Sequence, residues 1–168
     1  GFTVLAGPIP EVSSVLLPAG AFYDDILVTA QAQLQFSLHF DNAAPGTPAN
    51  TLAPAGVRFY HGLWAPDRDV FGNPIAGTEQ WRIDPEAPSV TLNSPSLFGR
   101  GQAPSGLNAL DSLFQPTLIV FENSQRVERF SLTLDRDTFG VSGLALEFYS
   151  ATGQLLSRAP IDQTQPGF

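Results

Sequence analysis

Apolar and polar residues alternate without a break along residues 32–40. Ala32, Leu34, Phe36, Leu38 and Phe40 fall on one parity, and Gln33, Gln35, Ser37 and His39 on the other. Successive side chains of a strand point to opposite faces, so this segment separates its apolar and polar sets only when extended. A helix would smear the same apolar set around its circumference. The rest of the chain permits little else, because 15 Pro and 15 Gly recur along all 168 residues and interrupt any long helix.

Short strand candidates recur at 3–6, 12–17, 25–29, 56–60, 89–92, 117–121, 130–134, 144–149 and 154–157. The last two meet across 150–153, where Gly153 suits a hairpin turn. Helical turns fit only 105–114. The expected fold is one all-β domain, a two-sheet antiparallel β-sandwich of jelly-roll type with about nine or ten strands. Residues 62–88 do not read as strand. They hold both tryptophans, Trp64 and Trp81, among prolines and acids, and are expected to form a long ordered loop on the sandwich.

Leu38-His39-Phe40-Asp41-Asn42, a Gly46-Thr47 turn and Gly56-Val57-Arg58-Phe59 come in that order. Later stand Ser105-Gly106-Leu107-Asn108-Ala109-Leu110 and Leu146-Glu147-Phe148-Tyr149-Ser150-Ala151-Thr152-Gly153-Gln154-Leu155-Leu156. This succession, from about 34 to 168, resembles secreted bacterial β-sandwich proteins of the PEP-CTERM, exosortase-sorted type. The resemblance implies a secreted, lectin-like jelly roll at the cell surface or outside the cell; it does not imply an enzyme. Such domains close with two strands after the hairpin. Here segments of that kind stand at the front, so residues 1–30 are expected to complete a sandwich formed by 31–168, their own or a neighbour's.

The N-terminal segment is too apolar for a free arm, since each buried aliphatic side chain gains roughly 1.5–3 kcal/mol. Residues 30–33 contain no Gly, Pro, Asn or Asp for a tight turn. A bent strand passing to another sheet or subunit is therefore expected, with strand donation, self-association and a structural filament as its consequence. The alternative is an intramolecular permuted sandwich using the same strands.

Charge and composition exclude several functions. All eight basic residues are arginine, without a cluster, against sixteen acids, so the net charge is −8 and no nucleic-acid partner is expected. Without cysteine there is no disulfide, thiolate or Cys-based metal chemistry. No transmembrane segment is expected, and no signal peptide is read in the sequence. Asp24 or Asp25 could meet Asp41 at a strand junction and hold a structural Ca²⁺; the same residues also cap turns. Asp67-Arg68-Asp69-Val70-Phe71-Gly72 recurs as Asp135-Arg136-Asp137-Thr138-Phe139-Gly140. No EF-hand glutamate follows, so both read as turns with internal Asp–Arg pairing. Tyr60, His61, Trp64, Arg68, Trp81 and Arg82 are the candidate carbohydrate site, with indoles stacking on a sugar face and charged groups taking hydroxyls. The competing reading is that these aromatics pin the loop to the sandwich. No nucleophile-elbow or phosphate-loop spacing occurs, and neither His39 nor His61 has a recognisable Ser or Asp partner in sequence, so catalysis is not expected.

Overall fold

The computed structural model describes residues 2–30, 35–40, 43–87, 89–98, 103, 106, 108–134 and 144–161. These form an all-β, antiparallel fold of eleven strands: β1 (Phe2–Ala6), β2 (Ile9–Leu17), β3 (Ala21–Ala30), β4 (Gln35–Leu38), β5 (Val57–Ala65), β6 (Gln80–Ile83), β7 (Leu92–Asn93), β8 (Ala109–Ser112), β9 (Thr117–Leu134), β10 (Ala145–Tyr149) and β11 (Leu155–Pro160). Among the described residues there is no α-helix, only short 3-10 turns at Ala49–Thr51 and Pro95–Phe98. Nor, among the described residues, is any helix long and apolar enough to cross a membrane.

β9 organises everything else. Its first half lies between β2 and β5, with Leu118 opposite Leu16 on one side and Tyr60 on the other. Its second half lies between β1 and β3, with Phe130 opposite Ala6 and Val28. Around the first half the order is β11-β10-β2-β9-β5-β6; around the second it is β1-β9-β3, with β4 and β8 sharing the far side of β3. Residues 117–121 and 130–134 read in sequence as separate strands, because Glu122 to Arg126 breaks the apolar alternation. The backbone stays extended there because β2 follows it, pairing Val12 with Gln125 and Ile9 with Val127 across two irregularities.

The chain bends between β1 and β2 to track β9. Gly7, at φ +123°, sits so close that a Cβ would lie 2.3 Å from the Glu128 carbonyl oxygen. Any other residue would collide with backbone there as well as being strained. Apolar residues from the strands around both halves of β9 join one buried cluster, including Val15, Phe59, Ile119 and Phe148 from the first and Ile26, Phe36, Phe130 and Leu132 from the second. Phe130 and Phe148 meet edge to face with centroids 5.6 Å apart.

Three expectations need correction. β5 and β6 form a hairpin within 62–88, pairing Gly62 with Ile83 through to Ala65 with Gln80, because the aromatic cross-strand pair outweighs the local Pro content. Ala109–Ser112 within 105–114 is strand, held between β3 and β7. β3 turns back and pairs antiparallel with β4, Ile26 opposite Leu38 and Thr29 opposite Gln35, although the connection lacks the usual turn residues. The apolar alternation of β4, with Phe36 and Leu38 buried and Gln35 and Ser37 exposed, fixes that register against the matching face of β3. Of the two forms expected for the N-terminal segment, the single chain takes the one in which residues 2–30 pack on their own domain, with β2 between β9 and β10 and β3 between β9 and β4 or β8. This is the intramolecular arrangement, and it puts β2 and β3 inside the ladder, with β1 paired to β9 alone.

Candidate functional site

The outward face of the sheet around the first half of β9 can be built row by row from the registers. Tyr149 lies opposite Ser14, Ser14 opposite Val120, and Val120 opposite Arg58. The next row runs Glu147, Leu16, Leu118 and Tyr60, with Arg158 beyond Glu147. The residues between them, such as Val15, Ile119, Phe59 and Phe148, point the other way into the core. Such a face would be an apolar stripe in water if nothing covered it. The β5–β6 hairpin does so partially: Trp81 packs against Leu16, Leu118 and Tyr149. The missing side chain at Gly62 admits both Leu16 and the Trp81 ring, each 3.4 Å from where a Cβ would stand.

Trp81 pairs directly with Trp64 across the hairpin, centroids 5.5 Å apart at 66°. Trp81 is half-buried against the sheet, while Trp64 keeps 54% of its surface exposed. The hairpin behind them is stiff. Arg82 bonds the Asp67 carboxylate and donates to the Ala65 carbonyl at 3.1 Å. The Asp69 carboxylate accepts the backbone N–H groups of Phe71 and Asn73 at 2.9 and 2.8 Å, and Arg68 donates to the Gly72 carbonyl at 2.7 Å. Those hydrogen bonds, that from the Asn73 backbone foremost, hold the Asp69 carboxyl below the ordinary 3.8. At the base, the buried Asp84 carboxylate accepts from the Glu86 N–H and the Gln115 amide, both at 2.9 Å, and its pKa is lowered chiefly by the first.

Between hairpin and sheet runs an open trough of about 460 Å³, lined by Ser14, Gln80, Trp81, Glu122, Tyr149 and neighbours. An adjoining depression of about 330 Å³ shares Ile83, Val120 and Glu122 with it and reaches Arg58 and Tyr60. Tyr149 donates to Glu147 Oε2 at 2.5 Å. Desolvation, then that hydrogen bond and the Glu147 charge, raise the phenol far above its usual range, so it stays a neutral donor and acceptor. The turn carrying Gly153, at φ +81°, abuts Gln80 and closes one end.

Of the residues expected to make a carbohydrate site, the fold brings Tyr60, Trp64, Trp81 and Arg82 to this trough and hairpin. Arg68 is taken up by the hairpin tip. His61 is partly buried, its Nδ1 enclosed without a hydrogen-bond partner and its carbonyl accepting from the Asp84 N–H. Tyr149, Ser14, Gln80 and Glu122 were missed; their only sequence signal is their parity in strands, and pairing partners were needed to read it. As for the calcium residues, Asp24 is buried and Asp25 bonds His39, while Asp41 lies outside the described residues, as do Asp135, Arg136 and Asp137. Among the described residues no three His, Asp or Glu side chains cluster as for a metal. No known protein family, curated protein or solved structure matches the chain.

Proposed function

We propose that the protein is a carbohydrate-binding module, built as a two-sheet jelly-roll sandwich whose sheets are bridged by β9, and working outside the cell. The extracellular setting follows from the resemblance to exosortase-sorted proteins. The observation that carries the binding reading is Trp81 laid over a pre-formed trough whose other walls are Ser14, Gln80, Glu122 and Tyr149. An indole beside an open trough offers a flat apolar surface to the C–H face of a sugar ring, and hydroxyl, amide and carboxylate groups around it take ring hydroxyls. The trough volume lies within the roughly 300–1,000 Å³ of small-molecule sites. Because Asp67 neutralises Arg82 and Glu122 lines the trough of a chain with net charge −8, neutral glycans fit it better than acidic ones. Affinity electrophoresis through neutral polysaccharides, supported by a glycan array, tests this. Retention should fall at least about tenfold in Trp81→Ala and measurably in Trp64→Ala, with melting curves checking the fold. Absence of retention by any glycan, or retention unchanged in both variants, would sink the proposal.

One observation favours a second reading, a structural subunit of a surface or matrix assembly. Val70 and Phe71 stand 94% and 86% exposed at the tip of the stiff hairpin. Large apolar side chains held out in water by a rigid turn suit insertion into another subunit. Self-association through this tip would replace strand donation, and sedimentation of Phe71→Ser against the parent chain reads it directly.

A further inference from the structure

The sheet around the second half of β9 carries a hydrogen-bonded chain that neither reading uses. Leu27 lies opposite Ser37 in the β3–β4 ladder, so Ser37 and its second neighbour His39 share the outward face, away from buried Phe36 and Leu38. Asp25 reaches the same face from β3. It sits where the β3–β9 register shifts between Asp24 and Leu27, and its φ of +47° is left-handed. A non-glycine residue there is strained, and surrounding structure holds it so. Asp25 Oδ1 is 2.7 Å from His39 Nδ1, and His39 Nε2 is 2.8 Å from Ser37 Oγ.

The order of contacts matters more than their number. A carboxylate accepts only, so it fixes the proton on Nδ1 and leaves the Nε2 lone pair to accept from the Ser37 hydroxyl. That is the connectivity a serine nucleophile requires: base on one imidazole nitrogen, orienting carboxylate on the other.

We propose that Ser37, His39 and Asp25 form an acyl-transfer site that hydrolyses short-chain carboxylic esters. Ser37 Oγ bonds to the ester carbonyl carbon as its proton passes to His39 Nε2. Collapse of the tetrahedral adduct breaks the carbon–alkoxide bond, and the imidazolium returns the proton to the leaving alcohol. Water, deprotonated by His39, then attacks the acyl-serine, releasing the carboxylic acid and restoring Ser37. Asp25 is the positioning residue and steadies the imidazolium. Among the described residues β4 pairs only with β3, so the N–H groups on its open side are the donors offered to the oxyanion. Leu27, opposite Ser37, is the apolar neighbour offered to a short acyl chain. The His39 side chain is 53% exposed and that of Asp25 29%, so substrate reaches them without any opening of the fold.

The test uses the full chain with a fluorophosphonate probe and p-nitrophenyl acetate. The expected result is a single covalent adduct mapped to Ser37, with hydrolysis reduced about 10²-fold or more in both Ser37→Ala and His39→Ala. Asp25→Asn should lower kcat with little change in KM. Ser37 is exposed, so Ser37→Ala should keep the parent melting curve and any glycan retention, while Trp81→Ala should keep ester hydrolysis; the two proposals then fail separately. An unlabelled Ser37, or hydrolysis lost in His39→Ala but undiminished in Ser37→Ala, would overturn the assignment, the second result meaning a surface imidazole acting alone. Labelling of the parent chain decides the matter even if a variant fails to fold.

Discussion

Phe130 and Phe148 offer a direct test of whether the two halves of the β9 ladder face each other. Phe130 belongs to the second half, opposite Val28; Phe148 lies on β10, next to β2 at the first half. Both are fully buried, and their rings meet at 85° with centroids 5.6 Å apart. Truncation to alanine would cost about 3–5 kcal/mol per site, too much for a double variant in a domain of ordinary stability. Leucine keeps most of the volume and removes the ring contact. Each single variant, Phe130→Leu and Phe148→Leu, should cost about 1–1.5 kcal/mol, lowering Tm by roughly 2–6 °C in a chain of this size. The double variant should cost less than the sum by about 0.5–1.5 kcal/mol, the worth of an edge-to-face pair. Urea unfolding followed by circular dichroism measures all four corners of the cycle. Costs that add within about 0.3 kcal/mol would mean that the rings do not touch, and the sandwich reading would fall with them.

Three other outcomes follow from the same contacts. The Asp69 and Asp84 carboxyls have folded-state pKa values below the ordinary 3.8, so their stabilisation is present above that pH and is lost as pH falls through the lowered values. Tm should therefore hold steady down to about pH 4 and drop below it, and Asp84→Asn, measured by a pH series of melts, should flatten that drop. A chain beginning at Ala30 loses β1, β2 and nearly all of β3, which flank β9 on both sides, and should show no cooperative melt on its own. A cooperative melt by that fragment would restore strand donation as the simpler account. If Asp24 or Asp25 meets Asp41 around a Ca²⁺, EDTA should lower the Tm of the parent chain and leave that of Asp41→Ala unmoved.

Strand identity was legible wherever one face met the core and the other met water. Residues 35–38, 130–134 and 145–149 declare themselves by parity, residues 32–34 lie outside the described residues, and the Gly153 turn marks its hairpin. What could not be read was partnership, because hydrogen-bonding backbone is the same at every residue and only neighbours decide which strands pair. Glu122 to Glu128 looks like a loop, since Val127 is the one buried side chain there; it is strand because β2 lies beside it. The 62–88 segment looks like a loop because its turn residues dominate any local window, whereas the Trp64–Trp81 register that makes it a hairpin spans seventeen positions. Likewise β3 and β4 pair without the expected turn chemistry because a long buried face fixes their register.

The candidate sites divide along the same line. The aromatic residues were visible as types, and an indole near arginines and acids is a signal that survives ignorance of the fold. Their neighbours were not visible: Ser14, Glu122 and Tyr149 come from three different strands, and only the rows of the sheet put them around Trp81. The Ser37–His39–Asp25 chain shows the limit more sharply. Ser37 and His39 are two apart on one face, which the sequence displays, but the carboxylate that orients the imidazole is fourteen residues upstream on another strand. A bulge and a left-handed φ at Asp25, neither encoded by any local pattern, bring it within 2.7 Å. Chemistry assembled across a ladder depends on register, and register is a property of the pair. That is why a chain whose strands are plain to read can keep its most reactive geometry hidden until the strands are laid side by side.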